Sequence, residues 1–192
     1  MNLRRCFLLC ASFFAVVWLT ACTSTSPGRG AKPALSMDAV NFAPHFSMNG
    51  RISVRVNDKL DSGQIRWQRN AEEERVGLYS PLGSQVAELV NNKVTRMVTL
   101  RQGRETVTAT SVGELTQSFL GVAVDLDQMA EWVQGVRLIE NQSVDRSLAN
   151  GDTWRVTAER YQVVGAHRFA SRVTATNGAT VVRLAIDEWA PQ

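Results

Sequence analysis

From Arg51 to Trp189 apolar and polar residues alternate with a period of two, in short runs separated by turn residues. Such a chain can fold into little other than antiparallel strands. Ile52, Val54 and Val56 alternate with Arg51, Ser53 and Arg55. Ile65 and Trp67 alternate with Gln64, Arg66 and Gln68. Arg75–Tyr79, Gln85–Val90, Val94–Leu100 and Glu105–Ala109 read as further strands, as do Thr153–Ala158, Tyr161–Val164, Arg168–Ala175 and Thr180–Trp189. Asn57-Asp58-Lys59, Asp61-Ser62-Gly63, Asn70 to Glu74, Asn91-Asn92 and Gln102-Gly103 supply turn chemistry between them. Two short helices interrupt the run. Ser111 and Glu114 have the spacing of a capping box, with Leu115, Phe119 and Leu120 on one side and Gly121 as the stop. Asp125 and Gln128 open a second helix, which carries Met129, Trp132 and Val133 and ends at Gly135. The expected fold is α+β: an incomplete, open antiparallel β-barrel, a strongly curved sheet with a few short helices against its concave side.

The amino-terminal segment has a different character. Arg4 and Arg5 precede an apolar run from Cys6 to Leu19, broken only by Ser12, and small residues lead to Cys22. A charged start, a short apolar stretch and a small-residue cleavage site make a secretory signal over residues 1–21. The run is too short for the roughly 20 residues that span a bilayer. Leu19-Thr20-Ala21-Cys22 resembles the lipobox of bacterial lipoproteins, which implies lipid attachment at Cys22 and cleavage just before it. The competing reading is ordinary signal cleavage beside an incidental cysteine. Residues 22–36, rich in Ser, Thr, Gly and Pro, read as a lipidated terminus and flexible tether with a reach on the order of 20 Å. A short helix is expected to begin at Ser36 or Asp38, with Met37, Val40 and Phe42 on its apolar side, until Pro44 limits it. Residues 37–192 are then one folded body.

Processing changes both charge and cysteine content. Loss of Arg4 and Arg5 takes Lys plus Arg from 21 to 19 against 18 acids, so nucleic acid is an unpromising partner. Only Cys22 of the three cysteines remains, which leaves no internal disulfide.

The motifs of catalysis are missing: no nucleophile elbow, no P-loop, no dinucleotide fingerprint. His45 and His167, the two histidines, have no metal-like spacing and read as surface or loop residues. Asp125 reads as a helix cap, and Asp187 with Glu188 alternate faces at a strand end. No enzyme, metal or cofactor is expected. Trp67, Trp132, Trp154 and Trp189 are many large rings for a small body, each most simply a core residue. Ser80-Pro81-Leu82-Gly83-Ser84 is a turn with a leucine at its tip. Leu82 either folds back onto the core or marks a membrane or partner contact.

The lipobox, the tether, Asn49-Gly50-Arg51 opening the first strand, Ser80-Pro81-Leu82-Gly83, the Trp132 helix ending at Gly135 and the closing Arg183-Leu184-Ala185-Ile186-Asp187-Glu188-Trp189 together resemble the LolB family, from about Phe46 to Trp189. The segment before Asn49 departs from the pattern, being short and interrupted by proline, so a reduced first helix is expected. The resemblance implies an outer-membrane lipoprotein receptor, a monomer with its body facing the periplasm. It would accept lipoproteins from a periplasmic, LolA-like carrier, hold their acyl chains in an apolar cavity and place them in outer-membrane lipid without nucleotide hydrolysis. It also implies that Leu82 assists membrane insertion. Thr23 in place of an aspartate agrees with an outer-membrane destination. Period-two patterning puts Val54, Ile65, Trp67 and Ile186 on apolar faces, with Met129 and Trp132 on a covering helix, as candidates for the cavity wall. The alternative is a non-catalytic scaffold lipoprotein of an outer-membrane assembly machine, with a filled core.

Overall fold

The computed structural model describes residues 42–120, 123–148 and 151–192, the side chains at 119 and 120 excepted. The signal, Cys22, the tether, the expected helix near Ser36 and the Gly121 stop lie outside the described residues. Phe42, the one residue of that helix reading within them, is exposed and in no regular element.

Among the described residues ten strands and two helices follow one another: β1 (Phe46–Val56), β2 (Lys59–Arg69), β3 (Glu73–Tyr79), β4 (Gln85–Asn92), β5 (Met97–Gln102), β6 (Glu105–Ala109), α1 (Val112–Leu120), α2 (Leu126–Gln134), β7 (Ser143–Ser147), β8 (Thr153–Val164), β9 (His167–Asn177) and β10 (Thr180–Pro191). All ten form one sheet, in the order β6-β5-β4-β3-β2-β1-β10-β9-β8-β7, and every pairing is antiparallel. Two meanders are therefore joined at the β1–β10 seam. Their free edges, β6 and β7, do not pair with each other, so the curved sheet stays open.

The turns follow from residue chemistry. Asn57 takes φ 53° between β1 and β2, a left-handed conformation that asparagine tolerates better than most residues. Asp61-Ser62-Gly63 is not a turn. It lies inside β2, because β1 runs on to Val56 and its partner strand runs beside it, with Val54 opposite Asp61. Gly63 is small for another reason: a Cβ there would sit 2.3 Å from the Tyr79 carbonyl oxygen on β3. Asn91 and Asn92 end β4, and the turn comes later. The Asn92 carboxamide oxygen accepts from the Val94 and Thr95 N–H groups, which delays β5 to Met97. The two runs Thr153–Ala158 and Tyr161–Val164 are one strand, β8, whose pairing with β9 is irregular from Ala158 to Tyr161.

Side chains of one face make the core. Phe46, Met48, Ile65, Trp67, Leu89, Val98, Phe169, Leu184, Ile186 and Trp189 are buried with Leu115 of α1 and Leu126, Ala130 and Val133 of α2. A second cluster gathers Trp132, Leu138, Leu148, Trp154, Val156, Ala158, Ala170, Val173 and Ala175. Both clusters and the strand pairings of the described residues lie within one compact unit, Leu35–Gln192, which thus carries the kind of hydrophobic core an independently folding domain has.

Candidate functional site

The helices lie against the buried face of the sheet, and local chemistry sets each end. Asp125 caps α2, its carboxylate accepting from the Asp127 and Gln128 N–H groups at 2.9 and 3.1 Å. Gly135 ends it at φ 77°, with its N–H on the Trp132 carbonyl. A side chain there would also strike Tyr161, whose hydroxyl donates to the Leu138 carbonyl at 2.7 Å. Ser111 begins α1, its Oγ accepting from the Glu114 N–H at 3.4 Å. Thr116 of α1 accepts from the Val124 N–H, which ties α1 to the segment that leads into α2.

Two polar anchors hold α2 in place. Gln134, buried at its C-terminal end, accepts from the Ala43 N–H at 2.8 Å and donates to the Ala43 carbonyl at 3.2 Å. At its N-terminal end Asp127 accepts from Arg69 of β2. The same guanidinium reaches Glu74 of β3 at 3.3 Å, and Glu74 also accepts from the Trp67 indole N–H at 2.9 Å. Burial pushes the Glu74 carboxyl above the usual carboxylate range, and the opposing pull of the Arg69 cation and the Trp67 N–H does not overcome it.

That raised value predicts a pH dependence. The folded chain holds the Glu74 proton to a higher pH than the unfolded chain does. Stability is therefore fullest below the ordinary glutamate range and falls as pH rises through the raised value. Glu74→Gln, which keeps an acceptor for Trp67, should remove this decline and be more stable than the wild type at neutral pH. Urea unfolding from about pH 4 to pH 8 measures it, spanning the ordinary glutamate value of about 4.3. Identical pH profiles for the two proteins would refute the assignment to Glu74.

The six cavity candidates share the helix-covered face but not one environment. Ile65, Trp67 and Ile186 are in the first cluster, Trp132 is in the second, and Met129 packs against both. Trp67 is 1% exposed, with the edge of Phe46 against it at 5.5 Å. Trp132 lies 6.5 Å from Trp154. Val54 is only half-buried and belongs to neither cluster. The inward row of β1 explains why. It passes from Met48, 1% exposed, through Ile52 and Val54 to Val56, 44% exposed, and stays apolar throughout. Val107 of β6 is likewise inward and exposed, opposite Leu100. The open sheet thus carries an apolar surface that continues beyond the packed core.

Two pockets lie away from these six residues. One, of about 420 Å³, opens at the starts of α1 and α2 and carries Glu74, Glu114, Asp125 and Asp127 among its walls. The other, of about 440 Å³, is lined by Arg51, Ser53, Ser62, Gln64, Arg172 and Arg183 and reaches Pro81.

Leu82 is 96% exposed. Its turn is closed by Gly83 N–H to the Ser80 carbonyl at 2.9 Å and by Ser80 N–H to the Ser84 carbonyl at 2.8 Å. Pro81 at the second position and Gly83 at the fourth suit such a turn, and they present the leucine outward. Of its two sequence readings, the fold-back onto the core is excluded. His45 lies in the bend before β1, a loop position as expected, whereas His167 opens β9 with its ring stacked on Phe169 at 5.4 Å and is a strand residue. Asp187 pairs with Arg51 and Glu188 accepts from Asn49, both on exposed strand surface. Sequence reading missed the anchors, since a glutamine in a helix and an Arg-Glu pair on neighbouring strands carry no pattern of their own.

The open antiparallel half-barrel with helices across its apolar face recurs in a solved structure. The crystal structure of a LolA superfamily protein from Nitrosomonas europaea superposes with a TM-score of 0.52 at 10% identity, covering 80% of this chain and 89% of that one. A family model described as outer membrane lipoprotein LolB matches residues 44–189, and the chain belongs to that family. Relatives named outer-membrane lipoprotein LolB include one from Azoarcus sp. (strain BH72), 28% identical with 98% of each chain covered. Another, from Thiobacillus denitrificans, is 27% identical over 91% of this chain and 94% of its own length.

Proposed function

We propose that this protein is an outer-membrane lipoprotein receptor, anchored through Cys22 with its body in the periplasm. It accepts lipoproteins from a LolA-like periplasmic carrier and passes them to outer-membrane lipid. The observation that carries the reading is the apolar inward row of β1, which runs out of the packed core and stays apolar where it becomes exposed. Acyl chains lie along this row, beginning at Val56 and Val54, and reach the deeper wall at Ile65, Trp67 and Ile186 as α2 with Met129 and Trp132 shifts from the sheet. Each methylene taken out of water contributes about 0.8 kcal/mol, so neither nucleotide nor catalysis is required. The chain then moves to whichever site, carrier, receptor or bilayer, buries it best. Leu82 enters the bilayer first.

The tight packing around Trp67 favours the other reading, a scaffold lipoprotein with a filled core. A fluorescent fatty acid separates the two. It is expected to bind the body from residue 35 onward and to be displaced by a lipoprotein. Val54→Glu should weaken the probe by tenfold or more with the fold intact, because Val54 is half-buried and outside both clusters. A wild-type body that binds no probe would establish the scaffold instead.

A further inference from the structure

The groove of about 440 Å³ lies on the face of the sheet opposite the helices. Alternation puts Arg51 and Ser53 of β1 on the reverse side from Met48 and Ile52, and places Arg183 of β10 and Arg172 of β9 with them. Arg51 stands opposite Ala185, and Arg183 opposite Ser53, so the two arginines are diagonal neighbours across the β1–β10 seam. Arg172 also stands opposite Ala185, from the other side, and is diagonal to Arg183. Such diagonal positions are about 7–8 Å apart. The groove lining has three arginines, with Ser53, Ser62 and Gln64 as further polar groups, and no acid.

The charges there are incompletely answered. Arg51 pairs with both Asp187 carboxylate oxygens, at 2.9 and 3.3 Å, while its side chain stays largely exposed and so open to a second anion. Arg172 is held by Glu159 only at 3.9 Å. The Arg183 side chain has no hydrogen bond or ion pair among the described residues. Arg160 of β8 stands directly opposite Arg172, a like-charge pair that costs stability in a sheet. Folding alone gives no reason to gather these cations. The groove also reaches Pro81, the residue next to the exposed Leu82. A surface that meets Leu82 is therefore within reach of the arginines.

We infer that this groove binds the anionic phosphate headgroups of a phospholipid surface, docking the body while Leu82 enters the hydrocarbon. Guanidinium groups pair bidentately with phosphate oxygens, and the groove offers Arg183 and the loosely held Arg172 for this, with Arg51 shared with Asp187, beside hydroxyl and amide donors. The inference rests on the reading of Leu82 as a membrane contact but not on acyl-chain binding.

Flotation of the body from residue 35 onward with vesicles tests it. The wild type should bind vesicles of phosphatidylethanolamine and phosphatidylglycerol more tightly than vesicles of phosphatidylcholine alone. Each basic side chain near such a surface is worth about fivefold in binding. Arg183→Gln should therefore weaken binding to the anionic vesicles by about fivefold, and Arg183→Lys should restore most of it. The combined R51Q, R172Q and R183Q variant should lose on the order of tenfold or more, and about 1 M salt should erase the difference. Fatty-acid binding by the same variants should be unchanged, which keeps this test separate from that of the concave face. Anionic-vesicle binding by folded Arg183→Gln equal to that of the wild type would overturn the proposal. So would wild-type binding indifferent to headgroup charge, or a loss confined to transfer from the carrier.

Discussion

Leu82→Glu should leave the fold unchanged and lower the incorporation of lipoprotein into liposomes by tenfold to a hundredfold. The first half follows from burial. Leu82 is 96% exposed on a turn closed by its own backbone, so a carboxylate there is solvated and desolvates nothing. Exposed substitutions of this kind shift stability by no more than about 0.5 kcal/mol. The second half follows from the bilayer. A charge costs about 2.5–3.5 kcal/mol at the hydrocarbon centre and less toward the interface, which gives the range stated. Acceptance of lipoprotein from the carrier should survive, since the apolar face is untouched. Paired assays, one of transfer from the carrier and one of incorporation into liposomes, together with a thermal melt, read all three quantities. A variant that loses both steps equally, or that melts early, would show that Leu82 has a structural task.

Trp67→Ala should cost about 3–5 kcal/mol of stability, the range for deleting a large aromatic side chain from a packed core. For a body of this size that is a fall of roughly 10 °C or more in melting temperature. The indole is 1% exposed, packs edge-to-face with Phe46 and donates its N–H to Glu74, so truncation opens a void and removes a hydrogen bond from a buried carboxyl. Trp67→Phe removes the same hydrogen bond but only part of the ring, and should cost less, about 1–3 kcal/mol. Urea unfolding measures both. The alanine variant also bears on function. If the wall at Trp67 opens only when acyl chains enter, the resting protein behaves as a packed core and the full penalty appears. A penalty below about 1 kcal/mol would mean that the ring already borders empty space in the resting state.

These expectations differ in how far the chain alone leads to them. The proline-glycine turn around Leu82 allows two readings, and only the fold of the surrounding strands excludes the buried one. Trp67 as a core ring was legible, because its alternation with Arg66 and Gln68 is a local property. Its bond to Glu74 was not, since Glu74 reads as a turn residue until β3 is aligned with Arg69 opposite Glu74.

What the amino-acid order determines by itself is what depends on neighbours a few residues away. The strand alternation from Ile52 onward, the Asp125 cap and the Gly135 stop of α2, and the class of open antiparallel sheet all follow from backbone hydrogen bonding and side-chain period. Strand β7 escaped, because Ser143–Ser147 has a single apolar residue, Val144, and takes its place by pairing with β8. Tertiary structure alone decided the β1–β10 seam, which joins residues more than a hundred positions apart and closes a long loop that no local pattern encodes. It decided that Gln134 would satisfy the backbone of Ala43, because a buried N–H and carbonyl must find partners wherever the fold puts them. It also decided that Arg51, Arg172 and Arg183, each an ordinary outward residue of its own strand, would meet in one groove beside Pro81. Period assigns a residue to a face; only the order of strands in the sheet assigns it its neighbours.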